Sequence, residues 1–249
     1  MFIFASCDNE ASELPELPNL EQLNCFSFTS TEIELIGETH NKYLEEVYQS
    51  IDFTACIDCR SAIIASFKNI DVDISGLGIS LDSLVNLAVD IYDRFESIDL
   101  RDWTNPPYSQ KVHNYLSTIL DAVDQSTSFG SFNIELQGIR EIVSNDSTLN
   151  CLELDIILGS LEVAEKSAFI WMPQSMGGIG LQSFDNSNIE SRRWSWRNAI
   201  LGDVASVAAD MVALSVVLAV TTAVPPANLA LAIGIGVTAA VGSAFAGIM

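Results

Sequence analysis

Apolar residues recur at intervals of three and four along most of this chain, and beyond residue 199 they lose almost all their polar partners. Thr29-x-x-Glu32 and Thr31-x-x-Glu34 have capping-box spacing, and they open a predicted helix whose buried stripe is Ile33, Ile36, Tyr43, Leu44, Val47 and Ile51. A short helix follows over Ser61–Phe67. Ser80 is placed to cap the next one, with Leu84, Leu87, Ala88, Ile91, Phe95 and Ile98 on one face and Asp82, Asp90, Asp93 and Glu96 off it. Asn105-Pro106-Pro107 breaks the chain before a helix that buries Val112, Leu116, Ile119, Leu120 and Val123. Phe132–Val143 and Leu149–Ile170 complete the set, with Asn145-Asp146-Ser147 as the turn between them. Ile70-Asp71-Val72-Asp73-Ile74 alternates like a strand but is too short to carry a sheet, so it reads as a loop or an edge strand.

The carboxyl-terminal pattern is different. Residues Met211 to Met249 contain no Asp, Glu, Lys, Arg or His, and Pro225-Pro226 divides the stretch into two arms. The first arm, Ala199–Val224, carries only Asp203 and Asp210; the second, Ala227–Met249, carries no charge. About 20 apolar residues at roughly 1.5 Å rise span a hydrocarbon core of about 30 Å, so each arm is long enough to cross a bilayer. The competing reading is a hairpin that forms the core of its own soluble bundle. Asp203 and Asp210 are seven residues apart and share one helix face, which should point at a lumen or a partner helix. As carboxyls next to a bilayer they are the expected pH-sensitive positions, acid making them easier to bury. Ala232, Gly236, Ala240 and Ala244 recur every fourth residue and predict close helix association, including self-association through the hairpin.

Charge divides the chain in the same way. The net charge is −22, and from Glu190 onward three acids (Glu190, Asp203, Asp210) balance three bases (Arg192, Arg193, Arg197), so the whole excess precedes the hairpin. With no basic footprint, nucleic acid is excluded as a partner. Arg192, Arg193 and Arg197 with Trp194 and Trp196 stand directly before the first arm. They combine cations for lipid phosphates with indoles suited to a headgroup layer, so membrane lipid is the expected partner.

Chemistry-bearing motifs are sparse. His40-Asn41 and His113-Asn114 each precede a Leu, but neither histidine has a second ligand four residues on, so both read as helix-face histidines bonded to backbone or carboxylate. Cys56-x-x-Cys59 stands without a second such pair; with Cys25 and Cys151 it makes an even set that suits an oxidising exterior, and the four read as a structural disulfide or simply as buried thiols. Gly177-Gly178-x-Gly180 lacks the Lys-Ser/Thr of a phosphate loop and reads as part of a hinge. No catalytic, cofactor-binding or metal-binding residue is assigned.

Phe4-Ala5-Ser6-Cys7 resembles the lipobox of bacterial lipoproteins, although the apolar run before it is only Met1–Ala5 and lacks a basic start. The acidic, Pro-containing segment behind it is similar to the sorting segment of surface-exposed outer-membrane lipoproteins. This resemblance implies lipidation at Cys7 and a place on the bacterial cell envelope, at the outer-membrane surface or secreted. The Trp- and Arg-led hairpin resembles, in composition, the membrane-active segment of bacteriocin-like and colicin-like pore formers. The expected organisation is all-α, an acidic multi-helix bundle followed by a hydrophobic helical hairpin. Its parts are a truncated signal (1–7), an acidic tether (8–28), an acidic helical domain (29–172), a Gly/Ser/Asn hinge (173–191) and the interfacial segment with its hairpin (192–249). The expected function is non-enzymatic membrane interaction, pore formation included; the alternative is a soluble helical interaction module with the hairpin as its buried core.

Overall fold

The computed structural model describes residues 27–52, 57–95, 108–181, 196–221 and 228–246. Cys7, the tether up to residue 26, Cys25, Cys56, Ile98, Asn105 to Pro107, Arg192, Arg193, Trp194, Pro225 and Pro226 lie outside the described residues. Among the described residues the protein is all-α, with eight helices and no strand: α1 (Ser30–Ser50), α2 (Cys59–Phe67), α3 (Leu81–Phe95), α4 (Gln110–Gln125), α5 (Phe129–Asn145), α6 (Cys151–Trp171), α7 (Trp196–Thr221) and α8 (Asn228–Ala246).

Helices α1 to α6 begin where a short polar side chain can accept from an otherwise orphaned backbone N–H. Thr29 and Glu32 close the expected capping box, Glu32 Oε2 accepting from Thr29 N at 2.7 Å and Thr29 Oγ1 from Glu32 N at 3.3 Å. Asp58, Ser80, Ser109, Ser128 and Asn150 cap α2 to α6 in turn. Between α5 and α6, Asp146 holds the expected turn by accepting from Thr148 N at 2.9 Å. The alternating segment 70–74 is a connection without sheet partners; Ile70 and Ile74 reach the core, and Asp73 supports the 3-10 turn Ser75–Leu77 by accepting from Ser75 N at 3.1 Å.

Helices α7 and α8 pack together as an apolar pair. Ser206 stands against Gly242 and Asp210 against Thr238, four residues forward on one helix for four back on the other, so the two run antiparallel. Both pairs are centred on residue 224, beside the prolines that divide the arms in the sequence. This pair shares one continuous core with the preceding helices. Helix α8 is enclosed by α1, α3 and α7 and, more lightly, α2: from Ala230 to Phe245 every residue is buried except the half-buried Ile233.

Small residues allow this approach. The stripe Ala232, Gly236, Ala240, Ala244 is buried, and a Cβ on Gly236 would lie 2.6 Å from both Ile36 O and Thr39 Cβ, so in this fold the stripe receives α1. Tyr48 further along α1 donates to Ala244 O at 3.3 Å, which sets the two helices running the same way. Across the bundle, Gly159 of α6 makes room for Met211, whose Cε would be 2.3 Å from an added Cβ. Gly236→Ala should therefore lower stability by about 1–2 kcal/mol despite its gain in helix propensity, because the clash is with backbone. Gly138→Ala, with nothing within 4 Å, should raise it by about 0.5–1 kcal/mol. Urea melts of the two variants check the contrast.

The glycine segment after α6 folds back as a tight turn in its described part. Ile179 N and Leu181 N donate to Phe169 O and Ile170 O, both at 2.8 Å, and Gly177 takes a φ of 95° that a side chain would strain. Gly178 lies so close to Met172 O, 2.2 Å from an added Cβ, that no side chain fits.

Candidate functional site

The polar chemistry that the sequence spreads over 163 positions, from His40 to Asp203, is gathered in the middle of the core. His40 on α1, Ser167 on α6 and Asp203 on α7 are all 0 % exposed. Ser167 Oγ donates to Asp203 Oδ2, and His40 Nε2 lies 3.6 Å from the same oxygen.

The neighbouring Asn41 fixes the imidazole. Its Nδ2 donates to Lys166 O at 3.0 Å, which leaves its Oδ1 facing His40 Nδ1 at 2.9 Å. An amide oxygen only accepts, so Nδ1 must carry the ring proton of that contact. An ion pair with Asp203 then needs a second ring proton, on Nε2. The cluster joins three helices that are far apart in sequence, and Lys166 enters only through its carbonyl. Its order also separates it from a nucleophilic triad: the serine hydroxyl is spent on the carboxylate, and the imidazole faces that carboxylate instead of the hydroxyl.

Two turns further along α7, Asp210 is 1 % exposed and faces α8. Thr238 stands beside it, but the Thr238 hydroxyl bonds back to Gly234 O at 3.2 Å and Ile235 O at 2.9 Å, so neither carboxyl oxygen of Asp210 has a hydrogen-bond partner. Burial lifts this carboxyl from 3.8 to about 8, with Thr238 pulling weakly the other way. Around these acids the aromatic groups are satisfied neutral donors: Tyr48 bonds to Ala244 O, with burial first and the Asp203 charge second holding its phenol protonated, and Trp171 Nε1 donates to Ser243 Oγ at 3.2 Å.

The expected face of Asp203 and Asp210 is thus turned inward, and the partners it meets are α1, α6 and α8 of the same chain. At the start of α7, Trp196 is 8 % exposed, with the Arg197 guanidinium 4.3 Å from its ring centre. Arg197 Nη2 also donates to Ser126 O at 3.3 Å, tying α7 to the corner between α4 and α5. His113 is half-buried on α4 and has no part in these hydrogen bonds. Among the described residues no three His, Cys, Asp or Glu side chains converge as metal ligands would. Cys151, at the start of α6, is disulfide-bonded. Sequence reasoning had no signal for pairing His40 with Asp203, beyond the general expectation that a buried imidazole meets a carboxylate or a carbonyl.

No family model, no curated protein and no solved structure matches this chain.

Proposed function

We propose that this protein is a non-enzymatic, soluble helical module that acts by binding, with the apolar hairpin as its own core. The observation that carries this reading is the enclosure of α8, buried at all but one position from Ala230 to Phe245. A helix facing lipid would leave an apolar stripe uncovered, whereas α1, α3 and α7 cover this one. The inward polar cluster agrees, since His40, Ser167 and Asp203 fix one register among α1, α6 and α7. We further propose that Cys7 carries the module on the outside of a bacterial envelope; the disulfide at Cys151 supports an oxidising compartment. Intact mass from the native host should show a lipid-modified Cys7 as the first residue, and an unmodified thiol there removes the anchor.

A second reading has its own observation in favour. Residues Trp196–Ser215 and Asn228–Phe245 are each long and apolar enough to cross a membrane, although 72 % and 83 % of an 18-residue stretch of each is buried in the fold. In this reading the bundle is the stored form of a membrane-inserting, pore-forming hairpin, and α1, α2 and α3 must come off α8 first. One experiment separates the two, using Cys7→Ser so that no anchor contributes. The protein is floated with anionic vesicles, and dye release is followed from pH 4 to 7.5. The soluble-core reading expects neither flotation nor release at any pH; release, with amides 230–245 losing hydrogen-exchange protection, replaces it with the membrane reading.

A further inference from the structure

We propose that α5 is the contact face of a two-fold symmetric homodimer, its outer stripe packing antiparallel on the same stripe of a second copy. The stripe is Gly130, Ile134, Gly138 and Ile142, four residues apart and all exposed, with Ile134 at 71 % and Ile142 at 62 %. A Cβ added at either glycine meets nothing within 4 Å, so each glycine is an open notch beside an isoleucine ridge. The opposite face of α5 is fully engaged, Phe132, Leu136, Ile139 and Val143 being core residues. The outer stripe is therefore surplus to the fold.

The order of the stripe identifies the partner. Large and small residues alternate, and reversing the chain direction about residue 136 exchanges every isoleucine with a glycine. An antiparallel copy thus sets Ile134 on the partner's Gly138 and Ile142 on the partner's Gly130, with the same contacts repeated by symmetry. Such a surface is self-complementary, which a two-fold interface requires of a single patch. A partner of unrelated sequence has no such constraint on it.

The polar flanks meet differently: an antiparallel pairing sets each flank of the stripe on the same flank of the second copy, so Glu141 lies beside the partner's Gly130, and Glu135 meets its own copy near the two-fold axis as the one like-charge contact, which salt screens. Arg140 is withdrawn from the contact, held by Glu162 at 3.0 Å and Glu165 at 3.3 Å on α6. Next to Gly130 the apolar surface continues through Phe129 onto Phe169, which is 42 % exposed and has its ring centre 5.6 Å from that of Phe129. Ile142 of the second copy would arrive beside this aromatic pair. A single helix of 17 residues is about 25 Å long, so the area lies at the low end of specific interfaces and the expected dimer is a weak one.

The test is the association constant of the full chain by sedimentation equilibrium in about 0.15 M salt, where the Debye length is near 8 Å and the −22 charge on each copy is screened. Ile134→Glu should weaken dimerisation at least tenfold. Gly138→Ile should do the same by setting ridge on ridge, and Ile134→Gly by leaving notch on notch. The exchanged double variant Ile134→Gly/Gly138→Ile restores ridge in notch and should return to within about threefold of the parent. All four positions are at the surface, so each variant should differ from the parent in stability by no more than a glycine's effect on helix propensity, and a tenfold loss of dimerisation with folding intact to that extent is not a loss of folding. A parent that stays monomeric overturns the proposal, as does an exchanged variant no tighter than the single ones, which would be the behaviour of a non-specific apolar patch.

Discussion

His40→Leu should destabilise the fold by about 3–5 kcal/mol, a large part of the total stability of a single domain, whereas His40→Leu/Asp203→Ala should lose distinctly less than the single change. The reason is what the histidine leaves behind. Asp203 is 0 % exposed and has Ser167 as hydrogen-bond donor on Oδ2, while Oδ1 has none. Without the imidazole, a fully buried acid keeps only the Ser167 hydrogen bond, and the penalty is that of desolvation with incomplete compensation. Removing the carboxyl as well leaves Ser167 to bond within its own helix and a side-chain volume at the two positions that is nearly unchanged, with no buried charge left unpaired. Asp203→Ala alone should be intermediate, because a neutral imidazole with an unmet Nε2 is a smaller liability than an unmet carboxylate. A double-mutant cycle by urea unfolding at 25 °C measures the coupling directly. Strict additivity of the two changes would show that His40 and Asp203 do not act on each other and would dissolve the cluster as a unit.

What could be read from the sequence, and what could not, follows from the range of the interactions involved. Capping is local, so Thr29 with Glu32, Ser80, and the Asn145-Asp146-Ser147 turn could all be placed from neighbours three residues away. Amphipathic stripes such as Val112, Leu116, Ile119 and Leu120 declare which face goes inward, though not what it meets. Helix α8 has no such face. Because Ala230 to Phe245 are apolar all round, the same sequence satisfies a lipid environment and a protein core, and only the presence of α1, α3 and α7 around it distinguishes the two. The Gly236 stripe shows this well: its spacing predicted close association, and the helix it meets in this fold, α1, lies about 200 positions earlier in the chain. Asp203 and Asp210 were assignable to one inward face by their spacing of seven. That one would meet His40 and the other Thr238 without a hydrogen bond is a property of tertiary packing, with no trace in the local sequence.

Asp210 should make this protein lose stability as the pH rises, over a window set by its own carboxyl. In the unfolded chain the group titrates near 3.8, and in the fold its carboxyl is lifted to about 8. Between those values the folded chain holds a proton that the unfolded chain releases, so stability declines with rising pH, by roughly 1.4 kcal/mol per unit, and levels off above about 8. Over the window the effect is on the order of 5 kcal/mol. The sign is opposite to that of a salt-bridged carboxylate, whose contribution is lost in acid. Asp210→Asn keeps the shape and cannot ionise, so it should match the parent near pH 4 and exceed it by several kcal/mol at pH 9. Subtracting one melting series from the other removes the background from the other acids of the chain, whose mutual repulsion also grows with pH. The same reasoning bears on the membrane reading. A carboxyl lifted to about 8 already holds its proton in the folded core through most of the range from pH 4 to 7.5, so Asp210→Asn should change the acid dependence of vesicle release little. A parent and variant with parallel pH–stability curves would mean that Asp210 is ionised inside the fold and has found a partner there.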